Sequence, residues 1–329
     1  MLKYILKRLG LAILILLGVS LIIYFLIRLM PVDFIQNKVN AMSQANSVDE
    51  KTVQALYEMY NLNEKGFLGM AKGYLNWLKA LCRFDLGQSF VDNAPVAEVI
   101  AKNMGISFAV ALIATIFEFM IAIPLGITAA THQYSFRDYF VTVLAMIGIS
   151  LPSFLFGQML KNVFALNLGW FPSQGTLSGA GSATGLALIP DYLAHMFLPI
   201  LTVVILSIGP RMRMTRTNML EVMNSDYIRT ARAKGLTETK VIYKHAFRNT
   251  LIPLVTTLAG LLPSLFSGAI ITEQVFGLDG IGNIALNRMM QGDIPFIMGY
   301  NMFLAMLSVL GVLLSDLMYV IVDPRVKLD

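Results

Sequence analysis

The chain has 329 residues, 56% of them hydrophobic and only 14% charged, with a formal net charge of +5. Soluble domains carry about 25% charged residues, so a mean hydropathy of +0.67 excludes a soluble globule and points to a protein whose solvent is lipid. Most of the positive excess lies between Arg211 and Arg248, beside apolar runs, which is the pattern of cytoplasmic loops rather than of a nucleic-acid surface.

Cys82 is the single cysteine, so the chain can form no internal disulfide and no thiolate metal site. His132, His195 and His245 are the only histidines, and none has metal-ligand spacing.

The N-terminal stretch places Lys3, Lys7 and Arg8 before about nineteen uncharged residues ending at Arg28, enough to cross a bilayer. No small-residue cleavage site follows, so the reading is a retained anchor with its N-terminus in the cytoplasm. Residues 31–103 are mixed and polar. Ser47-Val48-Asp49-Glu50 has capping-box spacing, and Val53, Leu56, Tyr57 and Tyr60 give the following helix an apolar face. Phe67, Met70, Tyr74, Trp77, Leu78 and Leu81 mark a second amphipathic helix. The pair is read either as an extracytoplasmic cap that touches a partner or as short helices on the membrane or the bundle. Phe84–Phe90, FDLGQSF, reads as a loop.

Further spans are expected over 104–131, 139–160, 192–210, 251–272 and 294–322. The second contains Pro124 and Glu118. A carboxylate within a span costs about 2.5–3.5 kcal/mol on insertion scales, so Glu118 should face protein or water, as a pore or gate residue or as a helix-to-helix hydrogen bond. The third contains Pro152, which removes a backbone donor and bends the helix. Lys and Arg are absent between Lys161 and Arg211, so 164–192 reads as an outer loop. His195 reads as a packed histidine. EQVFGLDGIGN, with Gly277, Gly280 and Gly282, reads as a turn or re-entrant segment because it matches no phosphate-binding motif. Asp316 falls near the inner end of the last span. The fold class is thus an all-α polytopic membrane protein of six transmembrane helices with both termini cytoplasmic. Its parts are an N-terminal region 1–103, a core 104–323 holding a cytoplasmic loop 211–250, and a tail 324–329.

The loop's centre, SDYIRTARAKGLTETKVIYKHAFRNTLIP, carries six basic residues against Asp226 and Glu238. Ser225 or Asp226 caps a short helix, Gly235 stops it, and Thr237 caps a second. Tyr227, Ile228 and Ala231 form one face, and the small residues Thr230, Ala231 and Ala233 allow another surface to approach. A DNA-binding helix pair is disfavoured by its tethering to spans at both ends. An interfacial helix pair on anionic lipid and a docking element for a cytoplasmic partner remain.

These residues resemble the cytoplasmic EAA-x3-G loop of ABC importer permeases, with Arg229-Thr230-Ala231 and Gly235 in the motif positions. Only the alanine and the glycine keep the general consensus. DYIRTARAKGL and HAFRNTLIP are similar to the B-type permease of the oligopeptide/dipeptide (peptide/nickel) transport family. So are FDLGQSF, SLPSFLFG, WFPSQG, EQVFGLDGIGN and DPRV, in the same order. The resemblance implies the type I ABC importer permease fold and a non-catalytic transport subunit of a bacterial inner membrane. Its partners would be a second permease, two cytoplasmic ATPases that bind ATP and magnesium, and an extracytoplasmic binding protein. No cofactor is implied for this chain. The cargo implied is a peptide, with nickel complexes or another small solute as the alternative. The resemblance assigns ATPase coupling to Asp226, Tyr227, Ile228, Arg229, Thr230, Ala231, Ala233, Lys234 and Gly235. A secondary transporter or channel would instead show inverted repeats and several buried charge pairs.

Overall fold

The structure, a computed structural model, describes residues 2–28, 67–177 and 188–322. The helix expected after Ser47, part of the loop 164–192 and the tail lie outside the described residues. The described chain is almost entirely helical, with one isolated antiparallel bridge between Gln88 and Pro95.

The helices, in chain order, are α1 (Leu2–Arg28), α2 (Phe67–Leu81), α3 (Val96–Thr131), α4 (Phe136–Ser150) and α5 (Ser153–Leu160), which runs on as a π-helical turn over Lys161–Asn167. Then come α6 (Ile189–Met223) and the short α7 (Asp226–Ala233). Helix α8 spans Glu238–Thr256, π-helical over Val241–Phe247. After α9 (Leu261–Ser267) follow α10 (Ile270–Phe276), α11 (Ile281–Met290) and α12 (Ile294–Val322). Among the described residues, four stretches are long and apolar enough to cross a membrane: Lys7–Leu26, Val96–Thr131, Ile189–Met223 and Ile294–Met318.

The third and fifth expected spans are not single helices. Helices α4 and α5 meet at 100° across Leu151 and Pro152, and the α8–α9–α10 stretch is bent by 54°. Six spans result only if each bent pair is one span. Proline explains the first break, since it donates no hydrogen bond and biases Leu151 away from helical geometry. Two other boundaries also move. Helix α3 starts at Val96 rather than near Met104, and α6 continues past Pro210 to Met223, so residues 211–223 are helix rather than loop. A proline inside a long helix removes one hydrogen bond without ending it when packing supplies the rest.

The chain divides into two compact units, Met1–Gly105 with Gly280–Leu310, and Ile106–Asp279 with Gly311–Leu328. In the first, α2 packs on α1. Trp77 is fully buried with its ring stacked 6.1 Å from Tyr24, and the hydroxyls of Ser20 and Tyr74 share a 2.9 Å hydrogen bond. Val96, Ile100, Ile281, Phe296 and Tyr300 form a second cluster of this unit.

The second unit is built on α6. Gly148 of α4 and Gly209 of α6 let the two helices almost touch. A Cβ at Gly148 would lie 2.9 Å from the Ile205 carbonyl oxygen, and one at Gly209 would lie 2.5 Å from that of Ala145. Ala122, Ala129, Val141, Ala145 and Met212 fill the space beside that crossing. His195 is a packed histidine, 5% exposed with Nδ1 2.8 Å from the Asp191 carbonyl oxygen.

Candidate coupling site

Helix α7 starts where Ser225 turns to extended geometry (φ −78°, ψ 153°), and the amides of Ile228 and Arg229 donate to the Ser225 carbonyl. It lasts two turns. At its C-terminus Gly235 takes φ +74°, and the amides of Gly235 and Leu236 fold back onto the carbonyls of Arg232 and Ala231. That left-handed stop is the role glycine serves at helix ends, because a side chain there clashes with the following carbonyl. Thr237 then opens α8 in extended geometry, without a side-chain capping bond.

An ion pair closes the turn. Arg232 donates to both oxygens of Glu238, at 2.7 and 3.2 Å, and Glu238 holds the guanidinium pKa above its ordinary value. The Asp226–Arg229 pair is 3.5 Å apart with both side chains largely in solvent, so it contributes little.

The two faces of α7 are sharply different. Ile228 is fully buried and Ala231 is 6% exposed. They pack with Ile127 and Ala130 of α3, Met219 of α6, and Val241 and Ala246 of α8. Asp226, Tyr227, Arg229, Thr230, Ala233, Lys234 and Gly235 face outward and are exposed. From the sequence, all nine residues are expected at one partner contact. The structure divides them: the close approach allowed by Ala231 is to the chain's own helices, and the outward face is left to the other group. An apolar cluster of this kind ties α7 rigidly to the ends of three helices, so a force on its outer face reaches all of them.

Two charge pairs lie further along α6. Arg211 Nε donates to Glu118 Oε1 at 2.8 Å, and the guanidinium sits 4.6 Å above the Phe119 ring, joining α6 to α3. Arg216 makes a two-point contact with Asp138, at 2.7 and 2.8 Å, joining α6 to α4. Sequence reasoning identified Glu118 but no partner, and missed Asp138 and Arg216 as a pair. The available signal was Ser135, whose side chain accepts from the Asp138 amide as the helix cap. Glu273 was also missed: it is 1% exposed on α10 and accepts a 2.6 Å hydrogen bond from Ser107. Its position in a glycine-rich segment read as a turn concealed it.

Comparison with known proteins bears on these features. The family model described as "Binding-protein-dependent transport system inner membrane component" matches residues 122–328. The oligopeptide transport system permease protein AppB of Bacillus subtilis (strain 168) is 36% identical over 330 residues, covering 99% of this chain and 100% of that protein. The dipeptide transport system permease protein DppB of Escherichia coli (strain K12) is 33% identical over 345 residues, covering 99% of each. Among solved structures, a chain of the MetNI methionine ABC transporter in an inward-facing conformation superposes with a TM-score of 0.52 at 16% identity. That match covers 69% of this chain and 97% of the other, and it supports the fold alone.

Proposed function

The chain belongs to the family of binding-protein-dependent transport system inner membrane components, and from that membership we propose that it is one of two permeases forming the passage of a peptide importer. The family makes it a multi-pass inner membrane transport subunit that works with a binding protein and an ATPase. The cargo assignment rests on one observation, the full-length similarity at 36% identity to an oligopeptide permease.

In this reading the N-terminus, the loop around α7 and the C-terminus face the cytoplasm. A cytoplasmic ATPase grips the exposed face of α7 through Tyr227, Arg229, Thr230, Ala233 and Lys234. A second ATPase holds the other permease in the same way, and ATP and magnesium stay on those subunits. When the ATPases close, the rigid contact of Ile228 and Ala231 with Met219 and Val241 carries the motion into α6, α3 and α8. The Arg211–Glu118 and Arg216–Asp138 pairs make α3, α4 and α6 move together.

The test is uptake by proteoliposomes that hold this permease with its partner permease and ATPases, supplied with the binding protein. Labelled trialanine should accumulate only with ATP inside and the binding protein outside. Uptake of a nickel complex or another solute with none of the peptide would overturn the cargo.

A further inference from the structure

The second unit holds a cavity of about 450 Å³ where two helices break. One break is at Gly268 and Ala269, between α9 and α10. The other is at Pro152, just before α5. Helix α6 forms the wall between them.

Three hydroxyls border this cavity: Ser153, Ser207 and Thr272. Among the described residues no hydrogen bond engages any of them. Two other hydroxyls on α6 are satisfied by their own helix: Thr202 donates to the Leu198 carbonyl at 2.8 Å and Thr215 to that of Arg211 at 2.9 Å. Thr272 is only 5% exposed as a residue, and its hydroxyl borders the cavity with no hydrogen-bond partner among the described residues. The other walls are apolar, from Val203, Leu206, Ile270 and Ile271, and among the described residues no charged side chain borders the space.

A hydroxyl shut off from water without a partner costs about 1–3 kcal/mol. Lipid tails, or apolar side chains of a neighbouring helix, would leave all three unpaired. Water or a polar ligand would satisfy them, so the cavity belongs on an aqueous passage. Neutral donors and acceptors beside apolar walls suit an uncharged amide flanked by side chains. They offer no counter-charge to a terminal amine or carboxylate.

We propose that this cavity is a subsite for the internal backbone amides of a translocating peptide, an inference that rests on the peptide reading above. Contact with amides rather than side chains lets one passage take peptides of many sequences.

The experiment uses the complete transporter in proteoliposomes, with trialanine and its analogue N-methylated at the middle amide. The Ser207→Ala/Thr272→Val variant should take up trialanine about 5- to 10-fold more slowly, the effect of losing one to two hydrogen bonds. It should also lose most of the wild-type discrimination against the N-methylated analogue; the same binding protein is used throughout, so its own preference cancels. A second arm places a thiol with Ser207→Cys in a Cys82→Ser background. A membrane-impermeant methanethiosulfonate reagent should modify that thiol, and trialanine under turnover should slow the reaction at least threefold. If the reagent does not reach the thiol, or trialanine does not protect it, the subsite is overturned. Unchanged discrimination in an actively transporting double variant overturns it too. If the double variant fails to assemble, the thiol arm decides. Wild-type protein that moves no trialanine overturns the peptide reading itself, a result distinct from failure of the subsite alone.

Discussion

Arg216 and Asp138, 78 residues apart in sequence, face each other through two parallel hydrogen bonds of 2.7 and 2.8 Å. The Asp138 side chain is 4% exposed and that of Arg216 26%. Asp138 also accepts from the Tyr134 amide at 3.0 Å, so the carboxylate is held on both sides. Removing one partner of such a buried pair leaves the other charge uncompensated and costs about 3–5 kcal/mol, and the partial exposure of Arg216 puts this case at the low end. Arg216→Met should therefore lower the thermal unfolding midpoint of the detergent-solubilised transporter. Asp138→Asn should do the same, and the charge swap Asp138→Arg/Arg216→Asp should recover part of the loss. Wild-type midpoints in both single variants would show that the pair does not tie α4 to α6.

Gly235 has no side chain to lose and no neighbour within 4 Å of a Cβ, so a substitution there acts only through its φ of +74°. A β-branched residue in that region costs about 1–3 kcal/mol. Gly235→Val should shift the end of α7 and turn its outward face. Membrane insertion should be intact, with ATP hydrolysis no longer stimulated by binding protein and cargo. Gly235→Asn, which tolerates left-handed geometry, should keep more of the coupling. Equal transport by wild type and Gly235→Val would remove α7 from the coupling role.

The opposite faces of α7 predict opposite phenotypes. Ala231→Leu forces a larger side chain into the cluster with Met219 and Val241, and overpacking typically costs about 1–3 kcal/mol. Ala233→Leu places the same bulk on an exposed surface and should leave the unfolding midpoint of the isolated permease unchanged. It should weaken co-purification of the ATPase. If Ala231→Leu is silent in stability while Ala233→Leu destabilises, the assignment of faces is wrong.

How much of this was legible depends on the range of the interaction. The stop at Gly235 follows from a local rule, a left-handed glycine, and the structure has it; of the face expected from Tyr227, Ile228 and Ala231, the structure buries Ile228 and Ala231 but leaves Tyr227 exposed. The bend at Pro152 was legible as a bend. Its 100° angle was not, because it depends on how closely α4 lies on α6 at Gly148 and Gly209. The break at Gly268 was hidden inside an apolar run that reads as one continuous span. Long-range pairs left no periodic trace: Glu118 finds Arg211 93 residues later, and Glu273 finds Ser107 166 residues earlier. The division of α7 into two faces was half visible, since periodicity identifies an apolar face but not whether it meets the chain itself or a partner.

A last prediction concerns pH and the first unit. The segment just after FDLGQSF and the turn after α11 are joined by Arg288, which donates to Asp92 at 2.6 and 3.0 Å and to Asp293 at 3.2 Å. Asp293 is fully buried and also accepts from the Ser89 hydroxyl and from the Phe90 amide, at 3.0 Å. The Arg288 hydrogen bonds hold the Asp92 pKa down at about 2. A depressed carboxylate contributes stability that is fully present above its unfolded pKa, about 3.9, and that is lost as pH falls through the folded value. The contribution should thus decline between about pH 4 and pH 2. Because the Asp92 side chain is 44% exposed, solvent screening keeps it to about 1 kcal/mol or less. Hydrogen exchange over 85–95 should show protection that is flat from pH 7 to about 5 and falls below about 4. Asp92→Asn should lower the plateau slightly and flatten the acid limb. Asp293→Asn should reduce protection at every pH, since it leaves Arg288 and Ser89 without their shared buried acceptor. An Asp92→Asn profile identical to wild type below pH 4 would show that the Arg288–Asp92 bond does not hold this loop.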